Sequence, residues 1–460
     1  MLDVPRPSLV QAKNQNSEYS NDSNNNNDCY QLFTADDNVN CHYGSMIQSK
    51  DSMDSEELLQ CELCYDSIFC NTCHAAVGCD SCVNCSNTYF SSNLVNCHNC
   101  VFCFGLRDKR NAIFNTEVSP DVFMTFMLQR QLFRRRNYEK AKEMFRMFME
   151  TAPQRYMYLL KAENCTGDRV IDYRDCENCY SANDAVGCSN LGGSSGIGIK
   201  DCMDCWATAY GVEKSFENQT CLRGGMYFVA NFSNDCSNCS YIDNCQNCQN
   251  CFGCVGLKNK KNCILNKQYG PEEYQQLLPQ IKAHLKKHNE WGQFFPMWMS
   301  PYAYNTTIAH LFHPLNKEEY LELLEVSEKL WPPPERYKRN HLWLDPEDEA
   351  EKEHRKVVSP PDSLFEAKNE DVLNTTYYDI KTKDPFKITG RELALYQMMK
   401  LPLPDKCFRT RYTERFHERF NPRKLHDRTC QKCGKAVKTT FDPESPYIVF
   451  CSECFQDSLQ

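Results

Sequence analysis

Thirty-one cysteines in 460 residues, many of them set three apart, constrain this chain more than any other feature. The runs are Cys61/Cys64, Cys70/Cys73, Cys79/Cys82/Cys85 and Cys97/Cys100/Cys103, then Cys176/Cys179, Cys202/Cys205, Cys236/Cys239 and Cys245/Cys248/Cys251/Cys254. A helix would bring residues i and i+3 to one face. Between these cysteines stand Asn, Asp, Ser and Gly, which suit turns better than helix interiors. Short strands joined by tight corners fit this text. Stacked coils would then set like residues in ladders, as in a β-solenoid. A disulfide framework belongs to small secreted domains. Here the chain is long and its cysteine count odd. The opening Met1-Leu2-Asp3-Val4-Pro5 lacks the apolar core of a secretory signal, and no apolar run reaches the length of a membrane span. A cytoplasmic protein with thiols or metal-bound thiolates is the expectation.

Direct comparison shows an internal duplication. Cys100-Val-Phe-Cys103-Phe-Gly105-Leu106 through Asn115 reads against Cys251-Phe-Gly-Cys254-Val-Gly256-Leu257 through Asn266, and the same offset of 151 carries Pro120 onto Pro271. The expected fold is a mixed β-solenoid/α protein: two cysteine-ladder copies, each followed by helices, and a C-terminal zinc ribbon. Residues 1–28 are polar and asparagine-rich and read as a disordered leader. The first solenoid copy spans 29–118 and a helical segment 119–160, opened by the capping sequence Ser119-Pro120-Asp121. The second copy spans 161–269, and a helical and aromatic cap follows over 270–344. An acidic linker covers 345–375, and a basic zinc-ribbon module 376–460.

The most specific motif is Cys430-Gln-Lys-Cys433 followed, after a gap of 17, by Cys451-Ser-Glu-Cys454. Each pair forms a turn that aims two sulfurs inward, and the gap is long enough for a hairpin. Four thiolates at tetrahedral positions suit one structural Zn²⁺ and leave no place for a substrate. Spacing alone leaves iron and four free thiols as alternatives. Residues 406–438 hold eleven Lys and Arg against three acids, a local charge of +8 that leaves −17 on the remainder. Arg411, Arg415 and Arg419 recur every four residues, as on one exposed helix face able to contact nucleic acid or a protein. A solvated face, or docking onto the chain's own acidic body, is the plainer reading.

Three readings of the repeat cysteines stay open: small buried fillers, further zinc sites, or redox and iron–sulfur chemistry. Cys245–Cys254 superficially matches a ferredoxin run, yet its last gap has two residues where that pattern needs three. No nucleophile–base pairing emerges, so no catalytic residue is nominated.

From Cys251 to Tyr269, Glu290 to Pro296, Asp384-Pro-Phe-Lys387, Leu401-Pro-Leu-Pro404 and Asn421 to Leu425, the text resembles uncharacterised cysteine-rich, zinc-ribbon proteins of candidate-phyla bacteria. The likeness covers roughly residues 245–460. Some such proteins carry a CoA-transferase label, for which no residue here speaks. The resemblance also implies a second zinc module before the C-terminal one. Here Tyr377-Tyr378-Asp379 supplies no cysteine and only Cys407 of the later pair remains, with Thr410 in the second place, so that module would lack its metal. The expected function is a non-catalytic zinc-binding scaffold or adaptor. The rival is an iron–sulfur or redox protein using Cys245–Cys254.

Overall fold

The computed structural model describes residues 9, 11–160, 165–174, 179–186, 192–194, 199–200, 230–231, 233, 235–293, 295–300, 302–335, 342–344, 357–419 and 424–459. Its organising unit is a 12-residue turn. His74 pairs in parallel with Ser86, Ser86 with His98, and His98 with Arg110. Every third residue of this region stands in the left-handed conformation: Asn84, Asn87, Phe90, Asn93, Asn96 and Asn99 have φ between 44° and 55°. Four such corners close each turn. Asparagine tolerates that conformation better than most residues, which accounts for the asparagine punctuation.

After each corner the next side chain points inward, and Cys85, Thr88, Ser91, Leu94, Cys97 and Cys100 are all buried. Their chemistry follows from the backbone, because every corner turns an N–H and a carbonyl toward the interior and both need partners. The Ser55, Ser67 and Ser91 hydroxyls accept from the N–H of Ser67, Cys79 and Cys103, one turn on, at 3.1, 3.2 and 3.1 Å. Ser67 Oγ donates in return to the Ala76 carbonyl at 3.1 Å, and Cys73 Sγ to that of Cys82 at 3.3 Å. A small side chain with one donor and one acceptor suits the position, and Cys and Ser supply it at many corners, whereas the Thr88 hydroxyl finds no partner and Leu94 fills the same inward position with apolar bulk. Toward the N-terminus Asn14 and Asn26 do the same for the N–H of Asn26 and Asn38, each at 3.0 Å. Residues expected to form a disordered leader are thus partly ordered, with Gln11–Ala12 and Asn21–Asn24 paired as parallel strands.

The β-solenoid expectation needs correction. The chain forms several small sheets in a mixed α/β structure, and none among the described residues is closed or runs on as a solenoid sheet. One five-stranded sheet takes Gln11–Ala12, Asn21–Asn24, Tyr30–Asp36, His42–Ile47 and Met53–Leu59. Another takes His74–Val77, Ser86–Tyr89, His98–Val101, Arg110–Ile113 and Thr116–Glu117. Only isolated bridges, such as Lys50 to Glu62 and Glu62 to His74, join them. Left-handed residues bend the backbone even inside these strands, at Gln31, Tyr43, Asp54 and Glu57, so extended pairing stays local and the strands of the described residues run to between two and eight residues. Cys176, Cys202 and Cys205 lie outside the described residues, as do residues 345–356 of the expected linker. The expected zinc ribbon is corrected as well. Its hairpin, His426–Thr429 with Ala436–Thr439, is present, but Ile448–Phe450 pairs in parallel with Pro153–Arg155, outside the module.

The duplication holds in the elements. Strands His98–Val101, Arg110–Ile113 and Thr116–Glu117 precede helix Pro120–Arg130. Their counterparts Gln249–Phe252, Lys261–Ile264 and Lys267–Gln268 precede helix Pro271–Lys287. In the first copy Phe90, Phe102 and Phe114 stack at 5.8 and 4.9 Å along one edge of the turns. Helices Pro120–Arg130 and Arg135–Thr151 cover that column through Phe126, Tyr138 and Phe148. The same core takes in Leu393, Leu395, Tyr396, Leu401 and Leu403 from the C-terminal region.

Replacing Ser67 by Ala strands the Cys79 N–H in the interior. The expected cost is about 1–3 kcal/mol, read as a lower denaturant midpoint. Ser67→Cys keeps both bonds and stays within about 1 kcal/mol of the parent; an alanine variant as stable as the cysteine one refutes the ladder account.

Candidate metal centre

The four C-terminal cysteines converge because two local turns aim them. Cys430 follows strand His426–Thr429. Its N–H donates to the Lys435 carbonyl and the Gly434 N–H donates back to the Cys430 carbonyl, both at 2.8 Å. Gly434 closes this knuckle at φ +75°, the left-handed region that favours glycine. On the other side Cys451 precedes helix Ser452–Ser458, and its carbonyl receives the Phe455 N–H at 2.9 Å. As a result the sulfurs of Cys430, Cys433, Cys451 and Cys454 all lie within 4.8 Å of one another, with Cys433 exposed and the other three buried. Cys433 and Cys451 are 3.7 Å apart.

The electrostatics suit a bound cation. Burial pushes the Cys430 thiol up, but N–H groups of Cys451, Cys433 and Lys432 outweigh it and hold the thiol down at about 6. Burial and the sulfurs of Cys433, Cys451 and Cys430 push the Cys454 thiol up to about 12. Four crowded thiolates repel unless a positive ion sits among them, and a four-sulfur set fits a soft or borderline metal. Among the described residues no other trio of Cys, His, Asp or Glu gathers this closely. Cys245, Cys248, Cys251 and Cys254 touch in sequence around the inside of one turn without meeting at a point. The geometry gives the expected cluster there no support.

The centre is fastened to the body. Tyr156 N–H donates to the Phe450 carbonyl at 2.9 Å and Arg155 to Ser452 Oγ at 3.3 Å. Phe455 meets Phe104 edge-on at 6.1 Å.

The arginine helix, Phe408–Arg419, differs from its expected exposed face. Arg415 is 3% exposed, between Asp54 and Glu56 at 3.6 Å and Asp66 at 3.7 Å. Arg411 lies 3.0 Å from Asp54 and 3.7 Å from Glu392, over the Tyr43 ring at 5.1 Å. Docking on the acidic body, the plainer of the two readings, is what these two residues do. The four acids escaped the sequence reading. The available signal was Asp54 and Glu56 alternating in strand Met53–Leu59, hence on one face. Two guanidinium groups face four carboxyls here. Burial pushes Glu56 up to about 8 and Glu392 up to about 7, against the lowering pull of Arg415 and Arg411 respectively.

No helix among the described residues is long and apolar enough to cross a membrane. No protein-family model matches the chain. No curated protein matches it either. Among solved structures, one from Desulfovibrio desulfuricans G20 described as a "putative acetyltransferase" aligns over 62% of this chain and 83% of its own, at 10% identity and a TM-score of 0.12. At that score the likeness carries no argument.

Two outcomes follow for the arginine cluster. Arg415→Ala leaves buried carboxylates uncompensated and costs about 3–5 kcal/mol of stability. Glu56 and Glu392 hold protons in the folded chain that the unfolded chain releases near its ordinary 4.5. Their contribution is therefore full below that pH and is lost as pH rises through about 7 and about 8. A urea midpoint that does not fall across this window, or a fall that Glu56→Gln with Glu392→Gln leaves unchanged, counts against the cluster as the cause.

Proposed function

We propose that the protein is a non-catalytic scaffold whose C-terminal unit is closed by one structural zinc ion. The convergence of the four sulfurs within 4.8 Å carries this reading. Four protein thiolates complete a tetrahedral shell, so no position is left for a reacting group. The bound metal supplies folding energy to a segment whose hairpin and short helix share only a small core around Val437 and Phe450. The resemblance over residues 245–460 supports the same reading.

The scaffold's contact surface in residues 406–438 is the lysine face beside the metal. Arg411 and Arg415 are spent inside the molecule, whereas Lys424, Lys432, Lys435 and Lys438 are exposed. Lys432 and Lys438 have only surface partners, Asp457 at 3.4 Å and Asp427 at 3.0 Å, which cost little to exchange. A phosphate backbone suits this face best.

Purified full-length protein is expected to hold about one zinc ion per chain, without visible absorption. Cys430→Ser with Cys454→Ser should lose it; iron with acid-labile sulfide in the parent refutes the assignment. Filter retention of single-stranded nucleic acid is expected to weaken with salt, with a log–log slope of roughly −2 to −3 for three or four neutralised phosphates. Retention that ignores salt, or survives Lys432→Glu with Lys435→Glu, removes the nucleic-acid partner.

A further inference from the structure

We propose that residues 377–411 are a second copy of the four-cysteine unit, with Asp379, Thr382, Cys407 and Thr410 at its four ligand positions and the Asp379 carboxylate in place of an ion. The backbone carries the argument. Before and after the knuckle, Tyr378 pairs antiparallel with Pro385 as Thr429 pairs with Ala436. Asp379 N–H donates to the Asp384 carbonyl at 2.9 Å, matching Cys430 to Lys435 at 2.8 Å. Lys383 N–H donates to the Asp379 carbonyl at 2.9 Å, matching Gly434 to Cys430 at 2.8 Å. Lys383 has φ +57° where Gly434 has +75°. Ile380 N–H reaches the carbonyl two residues before Cys407, that of Asp405, at 3.2 Å. Gln431 N–H likewise reaches the carbonyl two residues before Cys451, that of Val449, at 3.0 Å. In both units a helix starts at the next residue, and the amide four residues on, Arg411 or Phe455, returns to the Cys407 or Cys451 carbonyl at 3.1 or 2.9 Å. Even exposure agrees, with the second ligand position open and the other three buried in each unit.

At the centre of the first unit the side chains differ. Asp379 is fully buried, and its Oδ1 accepts from the N–H of Lys381 at 2.7 Å and Thr382 at 2.9 Å. Oδ2 accepts from the Cys407 N–H at 2.8 Å, across the gap between the two half-sites. The Thr410 hydroxyl bonds the same carboxylate and lies 3.5 Å from Cys407 Sγ. One anion with several convergent donors thus ties knuckle to helix, the task that a cation with four thiolates would perform. The helix that starts here bears Arg411 and Arg415, so its docking on the body needs no metal. Only the last unit answers to metal.

The match between the units rests on backbone bonds; only the ion in the last unit rests on the proposed zinc. The test compares zinc content of the full-length parent with the variant Asp379→Cys, Thr382→Cys, Thr410→Cys. About a doubling, from one ion per chain to two, is expected. A folded variant that stays at the parent's content overturns the proposal. If the parent holds none, the zinc reading fails, while a gain of one ion in the variant still supports the duplication. Hydrogen exchange on the parent under a chelator decides the matter should the variant not fold. The Lys381, Thr382 and Cys407 amides should keep their rates within about twofold while those of Gly434 and Phe455 speed up by about tenfold or more. Equal acceleration in both units overturns it.

Discussion

The turns of residues 11–115 hang on one repeated hydrogen bond, from the N–H of an inward-facing residue to the side chain about one 12-residue turn earlier. A left-handed corner every third residue leaves backbone groups pointing into a buried interior that the cysteines share with Leu32, Met46, Leu58 and Leu94. Asn26, Ser49, Ser67, Ser91 and the cysteines satisfy those groups. The cysteine richness is therefore a packing solution. A thiol is small enough to stack, donates weakly to a carbonyl and loses little on leaving water. Burial and contact with one another keep many of these thiols, such as Cys41, Cys64 and Cys82, protonated, as ladder members must be to donate.

Helices Pro120–Arg130 and Arg135–Thr151 and elements of the C-terminal region pack on these turns. The aromatic column of Phe90, Phe102 and Phe114 takes two helices, and the acids of Met53–Leu59 take the arginine helix. Burying two guanidinium groups costs heavily unless carboxylates face them. Asp54, Glu56, Asp66 and Glu392 meet that need, and the proton uptake at Glu56 and Glu392 keeps the excess negative charge in check. Residues more than 300 positions apart are joined through this contact, so the C-terminal region is an integral part of the body.

How much could be read beforehand varies with the range of the interaction. The cysteine quartet was legible because Cys-x2-Cys turns are local and their geometry is intrinsic. The helix start at Ser119-Pro120, and its counterpart at Pro271 by the offset of 151, were legible for the same reason. The triplet spacing was visible too, yet the 12-residue turn was missed, since Ser, Asn, Thr and Ala interrupt the cysteines at equivalent ladder positions. Asparagines near the N-terminus read as disorder, although Asn14, Asn26 and Asn38 form the same inner ladder. The exposed arginine face failed because amphipathic spacing says which side chains share a face and nothing about what covers it.

By itself, then, the amino-acid order determined what local chemistry can settle: the duplication at 151 residues, the corner-forming asparagines, the capped helices and the two cysteine turns. Tertiary structure alone decided that Ile448–Phe450 pairs with Pro153–Arg155 and that Arg411 and Arg415 point inward. The division has a single physical cause. Turn and cap preferences act over a few bonds, whereas strand partners and charge pairs are chosen by which surfaces meet once the chain has closed on itself.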